Sequence, residues 1–306
     1  MATKQKRSRK SGASRQGPAP LKGRPAGPSA TRRLNDDSAH PEELYTLWDE
    51  LADFPAGATD QALTHLMQTL VGLLKADNAV WIGTVRMADG DAAARDPLRG
   101  WRVRMSRRLV TAPETEEIVR KMMKTQDANA ANADMTSRAL ARSAGALRVH
   151  RMRDGFIDFA AFRRTPQYQF YYEGLGITDR IWVGSPITAD AESYFLFDLH
   201  RTRRRFSPAD AALAGAALRG IKWFQRNLML SHGLLQADAP LSPTQRKVLA
   251  LLLTEMSEKE IAHALSLTPG TAHQYVVDLY RTFRVNSRAG LMAIWISAAP
   301  PPPTDP

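Results

Sequence analysis

Residues 257–283 read SEKEIAHALSLTPGTAHQYVVDLYRTF. Ser257-Glu258-Lys259-Glu260 sets a hydroxyl at a helix-capping position and a carboxylate three residues later, the reciprocal pair that closes a helix start. Thr268-Pro269-Gly270-Thr271 supplies a second cap, with proline at the first helical position, where its missing N–H is not needed. Apolar side chains recur at helical spacing on both sides: Ile261, Ala262 and Leu265, then Ala272, Val276, Leu279 and Phe283. The pattern predicts two helices joined by the tight turn Ala264-Leu265-Ser266-Leu267. Such turns often contain glycine, and this one does not. A serine in the left-handed region costs about 1 kcal/mol against glycine. Ser266 therefore implies either that strain or a different turn.

The flanks extend the pattern. Ser242-Pro243-Thr244-Gln245 is another capping box, followed by the stripe Val248, Leu249 and Leu252. A fourth helix is expected from Arg288 to Ile296, presenting Leu291, Ile294 and Trp295. None of these helices is long enough to be stable alone in water, so they must pack into one small bundle.

Four segments, LSPTQRKVLALLL, MSEKEIAHAL, LTPGTAHQYVVDLYRTF and VNSRAGLMA, together resemble the LuxR/GerE-type helix-turn-helix domain of bacterial transcription regulators. The resemblance spans residues 241–296. It implies an all-α four-helix domain whose second helix supports, whose third reads the DNA major groove and whose fourth helps to dimerise. Two positions depart from the family. Ser266 stands where glycine is usual, and His273 where lysine is common.

The residues agree with that reading. With the apolar stripe of the third helix inward, His273, Gln274, Val277, Asp278 and Arg281 face outward. Thr271 and the backbone amides at the helix start suit a phosphate. Gln274 suits paired hydrogen bonds to an adenine edge. Lys259, Arg281 and Arg288 suit phosphate contacts, which position a protein without specifying sequence. The DNA-binding candidates are thus Lys259, Thr271, His273, Gln274, Val277, Arg281 and Arg288. Residues 241–296 hold six Lys/Arg and four acids, a net charge of +2. That is modest for a DNA binder, so dimerisation or other basic residues are expected to help.

Residues 41–235 read differently. PEELYTLWDELADF and TDQALTHLMQTLVGLLKA carry leucines at helical spacing. NAVWIGTVRM, GWRVRMSR, RIWVGSPIT and SYFLFDLH read as strands, and residues 113–146 as mainly helical. Ser207-Pro208 with Asp210 opens what reads as one long helix over 207–232, leading toward the linker 236–240. The order predicts an α+β sensor domain, an antiparallel sheet with helices on one side, and resembles a GAF or PAS-like module. The aromatics Phe156, Phe159, Phe162, Phe170, Tyr171, Tyr172, Trp81, Trp101 and Trp182 are expected in core packing, with a ligand cavity as the other reading. A family-based alternative is acyl-homoserine-lactone sensing, as in quorum-sensing LuxR proteins.

The chain has 306 residues and a net charge of +11, of which residues 1–38 contribute +8. That segment is rich in Ser, Gly, Pro and Ala and is predicted to be a disordered basic tail. It reads equally as an electrostatic arm for nucleic acid or as a solubilising tail. Residues 297–306 form a Pro-rich tail. There is no cysteine, which excludes disulfides and cysteine catalysis, and a reducing cytoplasm is the expected compartment. No run of about 18 apolar residues exists to span a membrane. No phosphate-loop, dinucleotide, zinc-protease or nucleophile-elbow motif is present, so no enzyme activity and no cofactor or metal is expected. The expected partners are double-stranded DNA, a second copy of the chain in a homodimer, a small-molecule effector of unassigned identity, and RNA polymerase. The other function class left open is a small-molecule-binding or enzymatic α+β domain carrying a helical appendage that does not bind DNA.

Overall fold

A computed structural model describes residues 41–111, 115–118, 120, 121, 134–237 and 239–297. The readings of a disordered 1–38 and of the Pro-rich end beyond 297 lie outside the described residues.

Two amphipathic helices, α1 (Pro41–Asp53) and α2 (Thr59–Leu74), precede β1 (Asn78–Arg86). A short helix, α3 (Gly90–Arg95), interrupts the loop to β2 (Trp101–Arg108). Helix α4 (Met135–Arg142) starts on Asp134, whose carboxylate accepts from the Ser137 amide. Residues 115–118 are helical too, and the rest of 113–133 lies largely outside the described residues. Then come β3 (Arg148–Arg151), a short helix α5 (Phe159–Phe162) and a π-helical turn, Tyr168–Glu173. The hairpin β4 (Ile177–Thr188) and β5 (Ala191–His200) completes a five-stranded antiparallel sheet in the order β2-β1-β5-β4-β3. Strand β3 has no counterpart in the sequence reading, because its four residues are too few to show an alternation.

The sheet is covered on both faces, not one. Every residue of β5 up to Leu199 is buried. On one face Trp81, Ile181, Val183, Phe195 and Phe197 pack against α1, α2 and the two helices that follow the sheet. On the other, Val80, Trp182, Tyr194 and Leu196 meet Phe162, Tyr168, Tyr171 and Tyr172. This second face holds two buried ion pairs. Arg180 sits directly opposite Asp198 and grips it with two hydrogen bonds, Nε to Oδ1 at 2.5 Å and Nη2 to Oδ2 at 2.8 Å. Arg148 grips Glu192 in the same way, at 2.9 and 2.6 Å. Gly184 leaves the space, since a Cβ there would lie 3.1 Å from the Arg148 guanidinium carbon. Burial alone would raise the Asp198 pKa, but the Arg180 charge and hydrogen bonds win and hold it well below the carboxylate range.

The expected long helix 207–232 is in fact two, α6 (Pro208–Arg219) and α7 (Lys222–Ser231). The break has a tertiary cause. Trp48 of α1 donates its indole N–H to the Ala217 carbonyl at 3.0 Å, and its ring lies against Gly220, where a Cβ would come within 2.4 Å of it. Buried Gln225 takes the Leu218 carbonyl at 2.7 Å. Two carbonyls of the helix ladder thus bond to side chains. The Ser207–Asp210 capping box opens α6 as expected. In the basic run before it, Arg204 donates to the Leu74 and Lys75 carbonyls and so closes α2.

Four helices form the C-terminal bundle: α8 (Pro243–Leu252), α9 (Glu258–Ala264), α10 (Pro269–Phe283) and α11 (Arg288–Ile296). Both expected capping boxes are formed. Phe283, Leu279, Leu291 and Val248 are buried in its core, which also receives Leu230 from α7. The bundle is therefore docked onto the α+β domain. Arg246 of α8 bonds Asp60 of α2 at 2.5 Å, and Arg226 of α7 donates to the Ile294 carbonyl at 3.0 Å. His232 lies behind this seam. It is fully buried, packs on Trp81 with ring centres 4.9 Å apart, and neither ring nitrogen has a hydrogen-bond partner. Its Nε2 is 3.8 Å from Asp60. Burial, then the charges of Arg246 and Arg107, outweigh Asp60 and push its pKa down from 6.5 to about 3.

Between those two values the unfolded chain binds a proton that the folded chain does not. Stability from this group is complete above pH ~6.5 and falls by about 1.4 kcal/mol per pH unit toward pH ~3. Urea melts at pH 7.5 and pH 5 are expected to differ by about 2 kcal/mol more in the native chain than in His232→Phe. An equal difference in both would refute the assignment.

Candidate nucleic-acid interface

Helix α9 ends in a left-handed residue, and that residue is Ser266, at φ 53°. Its amide donates to the His263 carbonyl at 3.1 Å, and the Leu267 amide reaches back to Ala262 at 2.8 Å. These are the two bonds of a Schellman closure, usually made with glycine. Of the two readings of the serine, the left-handed one is adopted. Leu267 packs against the bundle core just past the turn, so the hydrophobic contact that accompanies such a closure helps to offset the strain.

Helix α10 then starts on Thr268, whose hydroxyl accepts from the Thr271 amide at 3.1 Å. Thr271 also shares a 2.8 Å hydroxyl contact with Thr268. The Thr271 N–H is thus already satisfied, and Pro269 has none. A Cβ added at Gly270 would meet nothing within 4 Å, so this end of the helix stands in open space.

Ala272, Val276, Leu279 and Phe283 are buried, as their spacing predicts. His273, Gln274 and Arg281 are exposed, with the Arg281 side chain open to 74%. Val277 is half-buried beside them. Asp278 is the organiser of this face. One oxygen accepts from Gln274 Nε2 at 3.0 Å and from Arg281 Nη1 at 3.1 Å. The glutamine amide and the guanidinium are thereby held on one side of the helix. Lys259 is exposed at the start of α9.

Two candidates have unexpected neighbours. His273 Nδ1 lies 2.9 Å from Glu258, across the turn between the two helices. A carboxylate therefore stands beside the position at which lysine is expected. Arg288 is half-buried, and its Nε and Nη2 donate to the carbonyls of Leu252, Leu251 and Thr254. It closes the C-terminus of α8, a role that leaves Nη1 for other contacts. Sequence reasoning placed Asp278 on this face without assigning it a role, and missed Glu258 as part of it. Their sign argues against DNA; Asp278 finds its partners one helical turn away on its own helix, while Glu258 meets His273 only in the folded arrangement.

The α+β domain contributes a cavity of about 140 Å³ on the second face of its sheet. Trp101, Tyr171, Tyr172 and Trp182 line it, while Trp81 faces the opposite core and Phe170 is exposed. Its polar lining includes Arg108, which bonds the Tyr171 hydroxyl, and Thr136 at the start of α4.

Replacing Ser266 by glycine removes about 1 kcal/mol of left-handed strain and restores ~0.5 kcal/mol or more of unfolded-chain entropy. Ser266→Gly is therefore expected to stabilise the bundle by a few tenths of a kcal/mol up to about 0.5 kcal/mol in denaturant melts. Ser266→Val, β-branched at positive φ, is expected to destabilise it by roughly 1 kcal/mol or more. The reverse order would contradict the turn.

Residues 239–294 match the family model of bacterial regulatory proteins, luxR family. No curated protein matches the chain. Among solved structures, the VqsR LBD domain from Pseudomonas aeruginosa is similar at 12% identity and a TM-score of 0.43, covering 62% of this chain and 98% of that one. SdiA in complex with octanoyl-rac-glycerol is similar at 11% identity and a TM-score of 0.42, covering 84% and 93%. Escherichia coli SdiA in another crystal is similar at 12% identity and 0.40, covering 84% and 96%. Caps, turn, buried stripe and family match coincide on one segment: residues 239–294 are a helix-turn-helix DNA-binding domain of the luxR family of bacterial regulatory proteins.

Proposed function

We propose that the chain is a transcription regulator that reads duplex DNA with α10 and is controlled by its α+β domain. The family match of 239–294 carries the first half. The paired Gln274 and Arg281 on the exposed face of α10 support it, since a glutamine amide suits an adenine edge and a guanidinium suits phosphate or guanine. In this reading Lys259 and Thr271 meet backbone phosphates, His273 and Val277 border the base edges, and Arg288 chiefly holds α8 and α11 in register. The reading domain's small net charge makes a homodimer the natural binding form, with half-sites about one helical turn apart.

The cavity supports the second half. An apolar cavity of about 150 Å³ takes up a benzene-sized molecule, and this one adds polar groups at one side. It suits a small amphiphilic effector with its apolar part against Trp101 and Trp182 and its polar part toward Arg108 and Thr136. Such a ligand acts by favouring one arrangement of the docked reading domain. The element order of the α+β domain supports a GAF/PAS-like character.

Selection from a random duplex library is the decisive test. An enriched, two-fold related motif is expected. Gln274→Ala should relax preference at one base pair per half-site by about 1–3 kcal/mol. Lys259→Ala should weaken all sequences alike and lower the salt slope by roughly 1 per subunit. Weak binding without an enriched motif would sink the reading.

A further inference from the structure

We propose that the seam between the α+β domain and the reading domain is a binding site for a small phosphate-bearing anion. A second cavity, of about 370 Å³, lies where the turn before α2, the strand β2 and helix α8 meet. Arg107 of β2 lines it from one domain, and Arg246 and Lys247 of α8 line it from the other. Asp60 is the one acid among the lining residues. Its carboxylate is already engaged by Arg246 at 2.5 Å. Among the described residues, Arg107 and Lys247 have no acidic partner, and the buried Arg246 Nε has no acceptor. Three cations against one acid leave a local balance of +2 facing a cavity.

Two further features set the ligand class. Residues 58–61, the start of the 16-residue helix α2, line the same cavity, and Ala58 provides no side-chain cap there. The positive end of the helix dipole thus adds to the cations. The lining contains no aromatic ring against which a base or an aryl group would stack. A single carboxylate would cancel half of the unpaired charge. A phosphate or pyrophosphate cancels it fully, and its oxygens match the forked donors of two guanidinium groups.

The position gives such a ligand a consequence. It touches Arg107 on one domain and Lys247 on the other, so it binds only the docked arrangement in full. By linkage, it favours that arrangement over any in which α8 leaves the seam. The seam site needs no effector in the sheet-side cavity.

The test is calorimetric titration of the full chain with inorganic pyrophosphate, with sodium chloride keeping ionic strength constant. One saturable site per chain is expected, weakened about tenfold or more by Arg107→Gln and by Lys247→Gln. Both side chains are exposed, so the ligand-free melting temperature should hold in both variants. Lys259→Ala, on the DNA-reading face, should leave pyrophosphate binding intact. A nucleoside diphosphate that binds alongside pyrophosphate with equal affinity marks the phosphates as the recognised part. Absence of saturable binding, binding unchanged in both seam variants, or loss of binding only in Lys259→Ala would overturn the proposal. Pyrophosphate binding by a chain that selects no DNA motif would sink the regulator reading and leave this one standing.

Discussion

Arg180 and Asp198 face each other across the central strand β5 and its neighbour β4, on the side of the sheet turned toward the cavity. Both are buried, so neither can lose its partner without leaving a bare charge in the interior, a loss of about 3–5 kcal/mol. The pair fixes the β4–β5 register, because a slip of one residue would turn Asp198 to the opposite face. Near the hairpin turn, Arg148 of β3 reaches across Gly184 of β4 to Glu192 of β5. Around these two pairs the second face becomes a polar floor with aromatic walls, while the first face stays apolar and takes the helices. The division of the domain into a solid core and a cavity follows from that difference between the faces.

The apolar face has its own consequence for the reading domain. Trp48 and Gly220 break the helix after the sheet, and α7 starts anew beyond the break with Leu230 near its end. Leu230 belongs to the core of the reading bundle, so the two domains share a side chain instead of merely touching. Asp60, Arg246 and His232 lie around the same seam. The reading domain therefore meets the α+β domain through packed atoms, not through the linker 236–240 alone.

On the reading face, negative side chains do part of the positioning. Acidic groups repel phosphate, yet Asp278 holds Gln274 and Arg281 in place, and Glu258 engages the His273 ring. Each exposed pair contributes little stability. Their effect is to restrict rotamers before DNA arrives, at the expense of some phosphate attraction. A reading surface of this kind relies on geometry more than on charge.

Much of this was legible in the chain itself. Capping boxes at Ser207, Ser242 and Ser257, the Thr268 cap and the stripe ending at Phe283 are local, three or four residues apart, and all are formed. The α+β class and the outward positions of Gln274 and Arg281 followed from periodicity. What the sequence left open or hid rests on partners distant in the chain. Trp48 breaks a helix 169 residues away, and Arg246 meets Asp60 across 186 residues. The choice of a left-handed Ser266, the turn of Arg288 toward the α8 carbonyls, the coverage of both sheet faces and the seam between the domains were likewise decided by packing. Hydrogen-bonded caps and apolar periods are encoded by near neighbours, so the sequence determined the helices and their faces. Which faces meet depends on shape and charge brought together only by the fold, and that was decided by the tertiary structure.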